Sequence, residues 1–225
     1  MKRSKRYQEA VKQIDKNKIY QLTEAIELIK KTATTKFDSS VEVHVHLGID
    51  TKKADQQIRL AVKLPHPTGQ KQRIVVFCNE ANQKKALAAG ADQVGGEELI
   101  KEIKQTQKTN FDIALATPDM MRLLGQIAKI LGTKGLMPNP KNETITTDVV
   151  KTLTDLRSGK IAFRSDEHGN IHQIIGKVSF DSKKLLENYQ ALIEIIRRSK
   201  PEGSKGVFIK GITLTTTMGP GIRIS

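Results

Sequence analysis

The chain has 225 residues, with 38 Lys and Arg against 24 Asp and Glu and a formal net charge of +14; its pI is about 9.8. Such a balance points to a polyanionic partner, of which nucleic acid is the commonest. With no Trp, 6 Phe and 3 Tyr, the composition argues against a grip built on base stacking and favours folded RNA read through shape, phosphates and 2′-hydroxyls.

The basic start, Lys2, Arg3, Ser4, Lys5 and Arg6, has no apolar run behind it, so it does not read as a signal peptide. Tyr7 to Asp15 predicts a short helix. Thr23 caps the next, with Glu24 complementing the dipole and Leu22, Ile26 and Ile29 facing a core, as far as about Ala33. Val41, Val43, Val45, Leu47 and Ile49 then alternate with Glu42, His44, His46 and Gly48, the pattern of a half-buried strand. Ile58, Leu60, Val62 and Leu64 repeat that alternation and predict a second strand paired with the first. Pro65, His66, Pro67, Thr68 and Gly69 punctuate the chain.

Beyond that point the pattern changes. Ile74 to Cys78 and Phe111 to Ala116 are continuous apolar strands, with helices expected over Ala81 to Ala89 and Glu97 to Gln107. Strands buried on both faces and alternating with helices predict a small parallel α/β sheet. Cys78 is the only cysteine, so no internal disulfide forms, which suits a reducing cytoplasm. Thr117 caps a further helix with Pro118 at its first position, Lys134 to Pro140 is a loop, and Val149 to Leu156 is a helix ending near Gly159. No apolar segment approaches the roughly 20 residues that span a bilayer.

The first pattern then returns. Lys160 to Arg164 predicts a strand, Asp166 to Asn170 a turn, and Ile171 to Phe180 the strand that answers it. Asp181 caps a helix with a buried stripe of Leu185, Tyr189, Leu192 and Ile196, ended by Pro201. Val207 to Thr217 closes the sheet, with Thr213, Thr215 and Thr217 on one face and Ile212, Leu214 and Thr216 on the other. If the first and last strands share a sheet, the chain ends form one domain, 1–67 plus 160–225, and 68–159 is an insertion. The insertion holds 13 basic and 10 acidic residues, so the flanks carry +11 of the net charge.

His44 and His46 share a face, but the usual metal-ligand spacings are missing, and they read as a solvated or RNA-facing surface. The glycines at 90, 95 and 96 and from 125 to 135 fit neither a phosphate loop nor a dinucleotide fingerprint and read as helix ends and turns. No nucleophile elbow or Cys–His pair marks a hydrolytic site. Phe37, between Lys36 and Asp38, is either a core plug or, if exposed, an apolar face for ribose or base beside a phosphate-binding lysine. Glu42 is either a solvated strand carboxylate or an acceptor for a base edge or 2′-hydroxyl. The threonine strand is either a solvent edge or one shaped for a partner, its Gly219, Pro220, Gly221 turn letting another backbone come close. Lys205 and other outlying lysines would add salt-sensitive attraction only.

Three segments carry a resemblance: KFDSSVEVHVHLGID from Lys36, GQIAKILGTKGLMPNP from Gly125, and TTTMGPG from Thr215. They resemble the bacterial ribosomal L-one family, the mobile stalk protein of the large subunit. The resemblance implies an α/β protein of two domains, a discontinuous α+β sandwich-like domain from both chain ends and an inserted Rossmann-like three-layer domain. It implies a structural constituent of the large ribosomal subunit in the cytoplasm, neither an enzyme nor an obligate homo-oligomer, with no cofactor. It implies three partners: the stalk region of large-subunit rRNA, exit-site tRNA whose release it assists, and the messenger of its own operon, which it represses. Carried over by position, the RNA-binding residues would be Lys36, Phe37, Ser40, Glu42, Thr215, Thr217, Met218 and Gly219, with Arg164 and His172 beside them. The rival reading is a nucleotide-dependent enzyme using the inserted domain, with ligand at the C-terminal ends of Ile74 to Cys78 and Phe111 to Ala116.

Overall fold

The computed structural model describes residues 3–15, 18–53, 55–204 and 206–224; Lys205 lies outside them. The chain divides into two compact units, Met1–Gly69 with Ile161–Ser225, and Gln70–Lys160. The first leg of the split unit carries α1 (Lys5–Lys12), α2 (Leu22–Thr32), β1 (Ser40–Leu47) and β2 (Arg59–Lys63). The continuous unit follows with β3 (Ile74–Phe77), α3 (Glu80–Ala88), β4 (Gln93–Gly95), α4 (Glu97–Thr106), β5 (Ile113–Ala116), α5 (Met121–Leu124), α6 (Ala128–Thr133) and α7 (Val149–Arg157). The chain returns through β6 (Lys160–Arg164), β7 (Asn170–Lys177), α8 (Ser182–Arg198), β8 (Ile209–Thr216) and β9 (Ile222–Ile224). The protein is therefore mixed α/β.

In the split unit β1 is a central strand, and the sheet order is β7-β1-β8-β9. Every pairing in this sheet is antiparallel. Val41, Val43, Val45 and Leu47 point inward and are buried with Ala25, Ile26 and Ile29 of α2 and Leu185, Leu192 and Ile196 of α8. One face is thus closed by apolar burial, and the alternate residues Glu42, His44 and His46 are turned to the other. Over the outer face, Tyr7 and Val11 of α1 and Ile14 just after it line a hollow with Thr213, Pro220 and Arg223, so α1 lies towards the β8–β9 side.

Two expected pairings differ. β2 pairs not with β1 but with β6, in a separate two-stranded sheet. A strand has only two hydrogen-bonding edges, and those of β1 are taken by β7 and β8, which leaves β2 to find another partner. β6 and β7 do not answer each other across the 166–170 turn either: β6 pairs with β2, and β7 with β1. The helix expected to start after Thr23 begins at Leu22 with Gln21 in the capping position. Tyr20 has just been tied to the sheet by its N–H on the Arg223 carbonyl (3.0 Å), so the chain leaves the sheet straight into α2. α1 also starts earlier than expected, because the Ser4 hydroxyl accepts from the Tyr7 N–H.

The continuous unit has a parallel sheet of order β4-β3-β5. Val75 and Phe77 join one apolar cluster with α4 and α5 residues, while Ile74, Val76 and Cys78 join a second with Ala86 of α3 and Leu153 of α7. That alternation is what burial on both faces requires. The short strands β4 and β9 were not legible in the sequence, three residues being too few to show a period. No helix among the described residues is long and apolar enough to cross a membrane.

Candidate nucleic-acid interface

Three segments meet at the Ser40 end of β1. The Thr217 N–H donates to the Ser40 carbonyl (3.0 Å), and the Val178 N–H to the Ser39 carbonyl (2.9 Å). Asp38 accepts from the Ser179 N–H (3.1 Å) and hydroxyl (2.7 Å), and Lys30 Nζ donates to the Phe180 carbonyl. These bonds hold the 33–39 loop between the start of α8 and the turn after β8.

Two large apolar side chains project from this junction. Phe37 is 55 % exposed and Met218 is 66 % exposed. The Phe37 backbone is held by the Thr35 hydroxyl, which donates to its carbonyl (2.9 Å). At that exposure Phe37 is no core plug. Met218 has φ 70°, the left-handed region that a residue with a Cβ occupies at some cost. The turn enforces it: the Gly219 N–H closes on the Thr216 carbonyl (2.8 Å), and the Thr215 hydroxyl lies 3.3 Å from the carbonyls of both Gly219 and Pro220. Lys36 is exposed beside Phe37. Arg6 reaches the Met218 carbonyl through Nη2 (3.4 Å), bringing a cation to the turn.

The other predicted site residues separate into inward and outward groups. Ser40 is only 7 % exposed, and its hydroxyl accepts from Lys177 Nζ (2.9 Å). The Thr217 hydroxyl is turned to Ser40 as well, accepting from its N–H at 3.2 Å. Ser40 and Thr217 therefore build the junction more than they face outward. Glu42 lies on the outer face between Ile174 of β7 and Thr215 of β8, with its carboxylate 3.7 Å from His44 Nε2. The next row across the four strands is His172, His44, Thr213 and Arg223. Arg164 sits on β6, outside the four-stranded sheet, yet it lines a cleft of about 800 Å³ with Arg59, Gln57, Asp166 and His172. That puts Arg164 beside His172 but not beside the Phe37–Met218 junction.

His44 and His46 do not converge on a metal. His44 Nδ1 faces His172 Nδ1 (2.6 Å), and His46 Nδ1 faces Asn170 Oδ1 (2.8 Å). Among the described residues no group of three or more His, Cys, Asp or Glu could hold a metal ion. In the continuous unit, a crevice of about 880 Å³ opens at the C-terminal ends of β3 and β4, where parallel sheets place ligands. Its lining sets Glu80, Glu97, Glu98 and Glu102 against Lys84 and Lys101, and two of the carboxylates occupy the first turn of α4. They complement the helix dipole themselves and repel a phosphate that would otherwise sit there. Burial pushes the Cys78 thiol above its ordinary range, which leaves it a poor nucleophile.

Comparison with known proteins decides between the readings. The model of the Ribosomal protein L1p/L10e family matches residues 29–220. The chain belongs to that family. It is similar to "Large ribosomal subunit protein uL1" of Mycoplasma capricolum subsp. capricolum, 58 % identical over 221 residues that cover 98 % of this chain and 97 % of the relative. The protein of the same name from Mycoplasma mycoides subsp. mycoides SC is 57 % identical over 221 residues, again 98 % and 97 %. That of Thermobifida fusca is 53 % identical over 224 residues, 100 % of this chain and 95 % of the relative. This is a family of ribosomal proteins and not of enzymes, so the nucleotide-dependent enzyme falls. Residues 29–220 contain every predicted site position, from Lys36 to Gly219, whereas Arg6 and α1 lie before the match.

Sequence reasoning missed Arg6, Lys177 and Asp38 as parts of the junction. Arg6 and Lys177 reach Met218 and Ser40 only after folding, and Asp38, though next to Phe37 in sequence, finds Ser179 only then, so no local pattern marks these contacts.

Proposed function

We propose that the chain is a structural constituent of the large ribosomal subunit in the cytoplasm, and that its split unit binds the stalk region of large-subunit rRNA. The observation that carries this reading is the junction at the Ser40 end of β1. There two exposed apolar side chains, Phe37 and Met218, stand beside Lys36 and Arg6, their carbonyls accepting from the Thr35 hydroxyl and the Arg6 guanidinium. The apolar pair covers ribose and base surface, the cations take phosphates, and Glu42 on the adjoining face accepts from 2′-hydroxyls or base edges. The flanks that form this unit carry most of the positive charge.

The same surface would take a similar fold in the messenger of the protein's own operon, which makes repression of translation a competition for one site. Assistance in release of exit-site tRNA belongs to the same proposal, with the Gln70–Lys160 unit as an inserted domain. The chain acts without a homo-oligomer or cofactor.

The test is binding of a large-subunit rRNA stalk fragment by wild type and by Phe37→Ala and Met218→Ala. Both side chains are mostly exposed, so folding should be unchanged while binding weakens by on the order of 1 to 3 kcal/mol each. Wild-type affinity in both variants would place the RNA elsewhere. Nucleotides should leave the melting temperature where it is, and the rRNA fragment should raise it.

A further inference from the structure

On the open face of the four-stranded sheet, four titratable groups form a line: Glu42 and His44 on β1, His172 on β7, and Asp166 in the turn before it. The His44 and His172 rings meet edge to face with centroids 4.9 Å apart, and their Nδ1 atoms are 2.6 Å apart. His172 Nε2 is 3.3 Å from Asp166 Oδ2, and His44 Nε2 is 3.7 Å from Glu42 Oε2. His44 is the more covered of the two; its side chain is 30 % exposed against 54 % for His172.

Hydrogen-bond logic assigns the protons. Asp166 would be raised by burial, but the Asn170 N–H and side-chain amide, the His168 N–H and the His172 ring outweigh that and hold it at about 2. It is therefore an acceptor at any neutral pH, and His172 must carry its proton on Nε2 to face it. A neutral His172 then presents Nδ1 as an acceptor, so His44 donates from Nδ1. The remaining nitrogen, His44 Nε2, is bare and looks towards Glu42. One proton can be added there without disturbing the Nδ1 bond. A second, on His172 Nδ1, would set two N–H groups against each other at 2.6 Å and break it. The pair is a one-proton device.

Around it stand Thr213 of β8 opposite His44, and Arg223 of β9 opposite Thr213. Above it on the same face are Glu42 with Thr215, and below it His46 with Asn170. The row His172, His44, Thr213, Arg223 thus sets a hydroxyl and a guanidinium beside the pair, whose own N–H groups are committed until His44 Nε2 takes a proton. Burial holds His44 below the usual imidazole range, a proton on His172 would lower it further, and Glu42 opposes this. His44 therefore holds an added proton less readily at pH 7 than an ordinary imidazole.

We propose that the His44–His172 pair is a phosphate subsite of the RNA interface, and that occupying it is coupled to uptake of one proton. A backbone phosphate against this row favours the charged form of the pair, so His44 Nε2 gains its proton only when RNA is present. This rests on the reading that the split unit binds RNA.

The test is calorimetric titration of the rRNA stalk fragment into the full chain at pH 7, in buffers of different ionisation enthalpy, with dissociation constants measured from pH 6 to 8 at fixed salt. The wild type should take up close to one proton. Its affinity should be highest at the acid end and fall by up to about tenfold per pH unit above neutrality, because the protonated form becomes scarcer as pH rises. His44→Gln keeps a polar side chain on a folded strand and should lose both the proton uptake and the slope while still binding. His172→Gln should do the same. If wild type and both variants share one slope and one proton count, the subsite does not exist. If wild type fails to bind the fragment at every pH, the RNA reading itself is wrong and the subsite goes with it.

Discussion

Replacing Gly219 by Ala tests the turn that carries Met218. A Cβ at this position would lie 2.2 Å from Thr216 Oγ1 and 3.3 Å from the Thr216 carbonyl oxygen. Ordinary contact begins near 3.4 Å, so the hydroxyl would have to retreat by more than about 1 Å. Thr216 is 4 % exposed and has no solvent to move into. The strain is relieved instead by opening the turn, at the expense of the Gly219 N–H bond to the Thr216 carbonyl and the Thr215 hydroxyl contacts. Overpacking of this kind costs about 1 to 3 kcal/mol, roughly 5- to 150-fold if it all appears in RNA binding. Thr216→Ala removes the clashing oxygen, so the double variant should recover most of the loss. Urea unfolding and rRNA-fragment binding of the wild type, both single variants and the double variant complete the cycle. Wild-type behaviour of Gly219→Ala, or a loss that Thr216→Ala leaves untouched, would refute the reasoning.

Two other outcomes follow from hydrogen bonds turned inward. Thr217→Val leaves the buried Ser40 N–H without its side-chain acceptor and should cost about 1 to 3 kcal/mol of folding stability, whereas Thr217→Ser should cost far less. Equal unfolding midpoints for Val and Ser would mean the Ser40 bond holds nothing. Asp166, held at about 2, lies below an ordinary aspartate near 3.9, so its stabilisation is complete above about pH 4 and drains away as pH falls towards 2. Asp166→Asn should flatten that acid limb in thermal melts between pH 2 and 5; an unchanged limb would show that other carboxylates govern it.

Much of the interface was legible because its elements are regular. The alternation of Val41, Val43 and Val45 with Glu42 and His44 is fixed by the two-residue repeat of an extended chain, and burial of the valines follows from it. The threonines of β8 obey the same rule, with Leu214 and Thr216 buried and Thr213 and Thr215 facing out. What could not be read was where a hydroxyl goes once its strand has neighbours. Thr217 was expected among the outward contacts, yet its Oγ1 is spent on Ser40, 177 residues away.

Local geometry, the excess of cations, and the division of the chain into stretches that alternate and stretches that are apolar throughout can all be read along the chain. These depend on residues a few positions apart. Folding had to settle that β2 turns to β6, that Arg6 reaches the Met218 turn, and that His44 meets His172 across 128 residues. The physical reason is that backbone edges are chemically alike. A strand does not specify its neighbour until competing strands have filled the other edges and burial has set the register.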